Sequence, residues 1–155
     1  MTTIAAAKMK ALLLIAAHLS GWPVPNEPPP IGYEVTSFEM SVISQDDEGE
    51  TIGLTRDMVD VVFINVEAAR VASNHPELGT PDEDSILVHE LTHWLQAKNG
   101  MKGYKCPVIL KREIQAYAVQ TRYAKEYEHK DNADYRPPPE LYALCKSAAL
   151  NMSRP

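Results

Sequence analysis

Val88-His89-Glu90-Leu91-Thr92-His93-Trp94 sets a His-Glu-x-x-His string inside a stretch with helical periodicity. Two imidazoles four residues apart sit about 40° apart around a helix of about 3.6 residues per turn, so both can reach one metal ion. The Glu90 carboxylate lies beside them. That geometry suits a zinc ion with His89 and His93 as ligands and Glu90 as the base that removes a proton from activated water. In steps of about 100° per residue from His89, Leu87, Val88, Leu91, Trp94 and Leu95 fall on the far side, while Ile86 and Ala97 share the ligand flank. A helix apolar on both sides of its ligands is a buried helix, the setting for a water-excluding metal site. Thr80 can cap it, Pro81 fits the first helical position, Glu83 completes a capping box, and Asn99-Gly100 ends it.

A pattern with three fixed positions also arises by chance, and paired histidines on a helix are often just partly exposed side chains. A third ligand decides between the two. The next helix is expected from near Pro107 to about Glu128. On it Glu113 shares a face with Ile109, Leu110, Ala116, Tyr117, Gln120 and Ala124, while Lys111, Gln115, Arg122, Lys125 and Glu126 gather opposite. An ionised carboxylate on an apolar face is costly unless a metal or a cation compensates it. A buried salt bridge, for instance to Arg112, is the plain alternative. Glu113 as third ligand is the better account.

His89-Glu90-x-x-His93, followed after residues 94–112 by Glu113, resembles the zinc signature of the gluzincin metallopeptidases, and the short chain resembles the minigluzincins, single catalytic domains of that class. The match covers about residues 80–128. The resemblance implies zinc on His89, His93 and Glu113, with Glu90 as general base and later proton donor, and an extended substrate paired with the edge of the Met58 to Asn65 strand. This chain departs from the pattern at Tyr117, which stands where thermolysin-like enzymes have an acid four residues after the ligand Glu. The partners that orient the histidines must then come from elsewhere. The metzincin pattern is excluded, because Asn99 stands where its third His belongs and Gln96 where its Gly does. Such enzymes also add a donor to the developing oxyanion; Tyr104, Tyr117, Tyr123 and Tyr142 are available, with no motif to choose among them.

Outward from the motif, Ile31 begins strand chemistry in which Phe38, Met40 and Val42 alternate with polar residues. The acidic run Asp46-Asp47-Glu48-Gly49-Glu50 reads as a solvated turn, since it lacks an EF-hand loop pattern, and leads into a short Thr51 to Leu54 strand. Met58 to Asn65 is a further strand, the one expected nearest the motif helix. Glu67 to Ala72 reads as a short helical turn, and Asn74-His75-Pro76 as loop with His75 at the surface. Lys130 to Pro139 is loop, and Pro139 opens a last helix through about Asn151.

Residues 1–21 admit two readings. Lys8, Lys10 and the apolar run Ala11 to Ala17 imitate a signal peptide, but His18 and Leu19 make a poor cleavage site, which favours a packed helix from Thr3 to Ser20 ended by Gly21, and with it the cytoplasm over export. The run is too short to span a bilayer. Residues 22–30 form a Pro-rich connector and residues 31–155 the zincin-like domain. Cys106 and Cys145 could pair if the chain is exported, and neither has metal-ligand spacing.

The 155 residues, net charge of −6 and pI near 5.3 suit one α+β domain and argue against a nucleic-acid footprint. The expected architecture is a small twisted sheet packed on the motif helix, with a largely helical second half. Zinc-dependent hydrolysis of peptide or protein substrates is the expected function. A non-catalytic zinc-binding regulatory or interaction module is the alternative.

Overall fold

The computed structural model describes residues 1–44, 53–56, 60–73, 82–103 and 105–152. In chain order these form β1 (Thr2–Thr3), α1 (Ala6–Ser20), β2 (Ile31–Val35), α2 (Ser37–Ser44), β3 (Gly53–Arg56), β4 (Val61–Asn65), α3 (Val66–Ser73), α4 (Glu83–Lys98), α5 (Val108–Tyr127) and α6 (Pro139–Met152). The architecture is α+β, with a mixed four-stranded sheet in the order β1-β2-β4-β3. β2 and β4 run parallel, and β1 and β3 flank them antiparallel.

The motif helix α4 is the centre of the packing. Every residue from Ser85 to Ala97 is buried, including the polar ones, as expected of a helix apolar on both sides of its two histidines. α1 lies against α4 and α5 and buries Met9, Leu12, Leu13, Ala16, Ala17 and Leu19. It ends at Gly21, whose N–H still donates to the Ala17 carbonyl at 2.9 Å and whose left-handed φ of 77° then turns the chain out of the helix. The Pro-rich segment beyond is tied to the end of α4: Lys98 pairs with Glu27 and Asp60, and Asn99 Nδ2 donates to the Pro23 carbonyl. α4 itself stops at Asn99-Gly100, with Gly100 at φ 87°.

Three expectations are corrected. Residues 37–44 are the helix α2 and not a continuation of the strand. Thr36 and Glu39 form a capping box, with Glu39 N–H donating to Thr36 Oγ1 and Thr36 N–H donating to Glu39 Oε2. Once helical, Phe38, Met40 and Val42 no longer share a face, so Met40 is fully buried while Phe38 is 78% and Val42 67% exposed. Second, β4 is interior to the sheet, hydrogen-bonded on both sides by β2 and β3, and has no free edge for a substrate; β3 is the edge strand that lies against the motif. Third, the residue that caps α4 is Asp82, without a side-chain cap bond. Thr80 and Pro81 lie outside the described residues, as do the acidic turn, Met58 and the Asn74-His75-Pro76 loop.

Glu67 to Ala72 falls within the full helix α3, and α5 and α6 begin and end close to where their periodicity and prolines place them. A disulfide joins Cys106, just before α5, to Cys145 in α6. Among the described residues no helix is long and apolar enough to cross a membrane.

Candidate metal centre

α4 and α5 pack together so that Glu113 faces the two histidines. His93 Nε2 is 3.1 Å from Glu113 Oε1, and His89 Nε2 is 3.5 Å from Glu113 Oε2. The two Nε2 atoms stand 3.1 Å apart, and one donor atom from each of the three residues lies within 4.8 Å of the others. Arg112, next in sequence to Glu113, instead turns its guanidinium toward Gln96 Oε1 and the Gly103 carbonyl.

The partners of the histidines are two amides. His93 Nδ1 lies 2.9 Å from Gln96 Oε1, and His89 Nδ1 lies 3.1 Å from Gln120 Oε1. The Gln96 amide is oriented by its other end, where Nε2 donates to the Arg112 carbonyl at 3.0 Å and to Gln115 Oε1 at 2.9 Å. Gln115 Oε1 also accepts from the Trp22 indole at 2.9 Å, so the network runs from Trp22 through Gln115 and Gln96 to His93. Gln120 Nε2 similarly reaches Ser85 Oγ at 3.4 Å.

An amide oxygen only accepts, so each histidine carries its hydrogen on Nδ1, and in the neutral ring Nε2 is left as a bare lone pair. Two such lone pairs and a carboxylate then converge on one point in a buried setting. They repel one another unless positive charge, a proton or a metal ion, lies between them. The electrostatics carry the same signature. Burial alone would push the Glu113 carboxyl up, but hydrogen bonds and charge from His89 and His93 outweigh it and hold Glu113 well below the usual carboxylate range. Burial alone would depress His93, yet the hydrogen bond to Glu113 and the charges of Glu90 and Glu113 raise it. Two imidazole nitrogens and one carboxylate oxygen are a donor set that fits a divalent metal ion with one position left open.

Glu90 completes the site. With the three donors it lines a cleft of about 430 Å³ whose other walls include Gly53, Leu54, Ile86, Tyr117, Gln120 and Tyr135. Tyr117 sits edge-on to the His89 ring, with centroids 4.5 Å apart, and burial followed by the nearby charges of Glu113 and Glu90 pushes its phenol up. Of the other tyrosines singled out in the sequence, Tyr123 stacks on Tyr127, Tyr142 borders the proline run 137–139, and Tyr104 is outside the described residues.

No family model, curated protein or solved structure matches this chain.

Gln96, Gln120, Gly53, Thr55 and Tyr135 did not stand out as site residues. For the two glutamines a signal exists: Gln96 follows His93 by three residues and Gln120 follows Glu113 by seven, so each amide lies near a ligand's helical face. Gly53 and Thr55 come from a strand more than thirty residues away, and only tertiary packing brings them in.

Proposed function

We propose that this chain is a zinc-dependent peptide-bond hydrolase of gluzincin type on a zincin-like fold. The observation that carries the reading is the convergence of two imidazole Nε2 atoms and a half-buried carboxylate on one point, with a second carboxylate, Glu90, in the same cleft. His89, His93 and Glu113 would hold the ion. Zinc, when bound there, supplies a Lewis acid that acidifies water and polarises a carbonyl.

The remaining chemistry belongs to the protein. Glu90 takes the proton of the attacking water and returns it to the leaving amine, so its carboxylate begins and ends the cycle ionised. Gln96 and Gln120 keep both Nδ1 atoms protonated and thereby keep both Nε2 atoms available. β3, unpaired on its outer side in the described sheet, offers backbone N–H and C=O groups to an extended peptide running past Glu90.

A broad peptide library incubated with zinc-loaded protein tests the proposal against Glu90→Gln. The variant is expected to bind zinc as the parent does and to cleave about 10²- to 10⁴-fold more slowly. Equal cleavage by both would remove Glu90 as the base. Full zinc occupancy with no cleavage by the parent would favour the non-catalytic zinc module. Glu113→Ala should weaken zinc binding, and unchanged metal content would move the third ligand elsewhere.

A further inference from the structure

Glu90 is held from outside its own helix by two residues of β3 that face it at alternate positions. Thr55 Oγ1 lies 2.7 Å from Glu90 Oε2 and 2.9 Å from the Glu90 carbonyl oxygen. A hydroxyl has one hydrogen, and an ionised carboxylate is the stronger acceptor, so the hydrogen goes to Oε2. At Gly53 the strand backbone approaches so closely that a Cβ built there would stand 2.6 Å from Glu90 Oε1, 2.8 Å from Cγ and 2.9 Å from Cδ. Only glycine admits the carboxyl group at this spot. Among the described residues, Glu90 Oε1 has no hydrogen-bond partner.

We infer that Thr55 and Gly53 together position the base: Thr55 fixes one carboxylate oxygen, and Gly53 leaves the space in which the other is presented to the cleft. A glutamate side chain has three rotatable bonds, and holding it in one rotamer by a charge-assisted hydrogen bond gives its free oxygen a fixed place relative to the histidines. The pair acts at a distance of two residues because strand side chains alternate, so positions 53 and 55 face α4 together. The register with β4, Gly53 opposite Ile64 and Thr55 opposite Val62, locks that face against the helix. Thr55 is a positioning residue, since it touches the base and none of the metal donors. The inference rests on Glu90 being the base, and its test has to separate the two ideas.

Thr55→Val removes the hydroxyl and keeps the shape; Thr55→Ser keeps the hydroxyl. In zinc-loaded protein Thr55→Val should lower kcat on cleaved library peptides by about 10- to 100-fold with KM and zinc affinity little changed, and Thr55→Ser should recover most of the loss. Gly53→Ala should act like Thr55→Val, because the easiest relief of the clash is for the Glu90 carboxylate to swing away. Crystal structures of the zinc-loaded parent and variants give a readout independent of turnover. The Glu90 carboxylate should keep its place in Thr55→Ser and leave it in Thr55→Val and Gly53→Ala. A carboxylate that stays put in both of the latter overturns the inference, as does unchanged kcat in an active protein. If the parent cleaves nothing but the carboxylate moves as described, the positioning holds and the assignment of Glu90 as a catalytic base fails.

Discussion

At Gln96 and Gln120 a neutral amide stands behind each imidazole, in the place that zinc sites often give to a carboxylate. The amide can fix the tautomer of its histidine as a carboxylate would, but it adds no negative charge behind the ring, so it would push less electron density toward a metal bound there. Replacing either by Leu keeps the approximate volume and removes the acceptor. Each variant should bind zinc about 10- to 100-fold more weakly, measured by competition with a chromophoric chelator, and Gln96→Leu should suffer more because it also strips partners from Arg112 and Gln115. If both variants bind zinc as tightly as the parent, the amides are packing and not orienters. That His89, Glu90, His93 and Glu113 meet in one cleft was legible in the sequence because each lies on a helix, where spacing along the chain is spacing in space. Gln96 and Gln120 were not, since an amide has no charge to look out of place on a buried face.

Among the elements, α4, α5 and α6 could be read from periodicity and from the glycine or prolines at their ends, whereas α2 was hidden by an accident of pattern. Phe38, Met40 and Val42 alternate as a strand would, and the local capping box of Thr36 with Glu39 outweighs that alternation. The edge position of β3 depends on strand order, which no local pattern encodes. The C-terminal end of α5 carries a cost. Glu128 stands at the C-cap, where the helix dipole is negative, and its side chain is only 10% exposed, with no hydrogen-bond partner for either oxygen among the described residues. Burial first, and then Asp82, raise its carboxyl against the opposing pull of Lys130 3.4 Å away. A carboxyl raised in the folded state contributes stability below its unfolded value near 4.5, and that contribution is lost as pH rises through the folded value. Glu128→Gln should therefore be more stable than the parent at neutral pH by about 1 kcal/mol, roughly 2–4 °C in Tm. The advantage should close as pH falls below 4.5 in thermal melts; a constant difference across pH would point to packing instead.

Across the whole molecule, the centre draws on three separate parts of the chain: α4 and α5 give the donors, and β3 gives the contacts to Glu90. Among the described residues α6 gives none, and it is joined to the start of α5 by the Cys106–Cys145 disulfide, across a sequence separation of 39. A loop of that length stabilises by about 4 kcal/mol through the unfolded state. Reduction should lower the unfolding midpoint in urea while leaving zinc affinity within about threefold, since an orienting network in α4 and α5 stays intact; loss of zinc binding on reduction would show that α6 shapes the site. The hydrogen-bond line from Trp22 through Gln115 and Gln96 to His93 has an optical consequence. Of the two tryptophans, Trp94 donates to Asp60 beneath the Lys98 ammonium, while Trp22 donates into the network behind His93. On the proposed zinc reading, indole emission should change as zinc is titrated in, and Trp22→Phe should silence the change while the ion still binds.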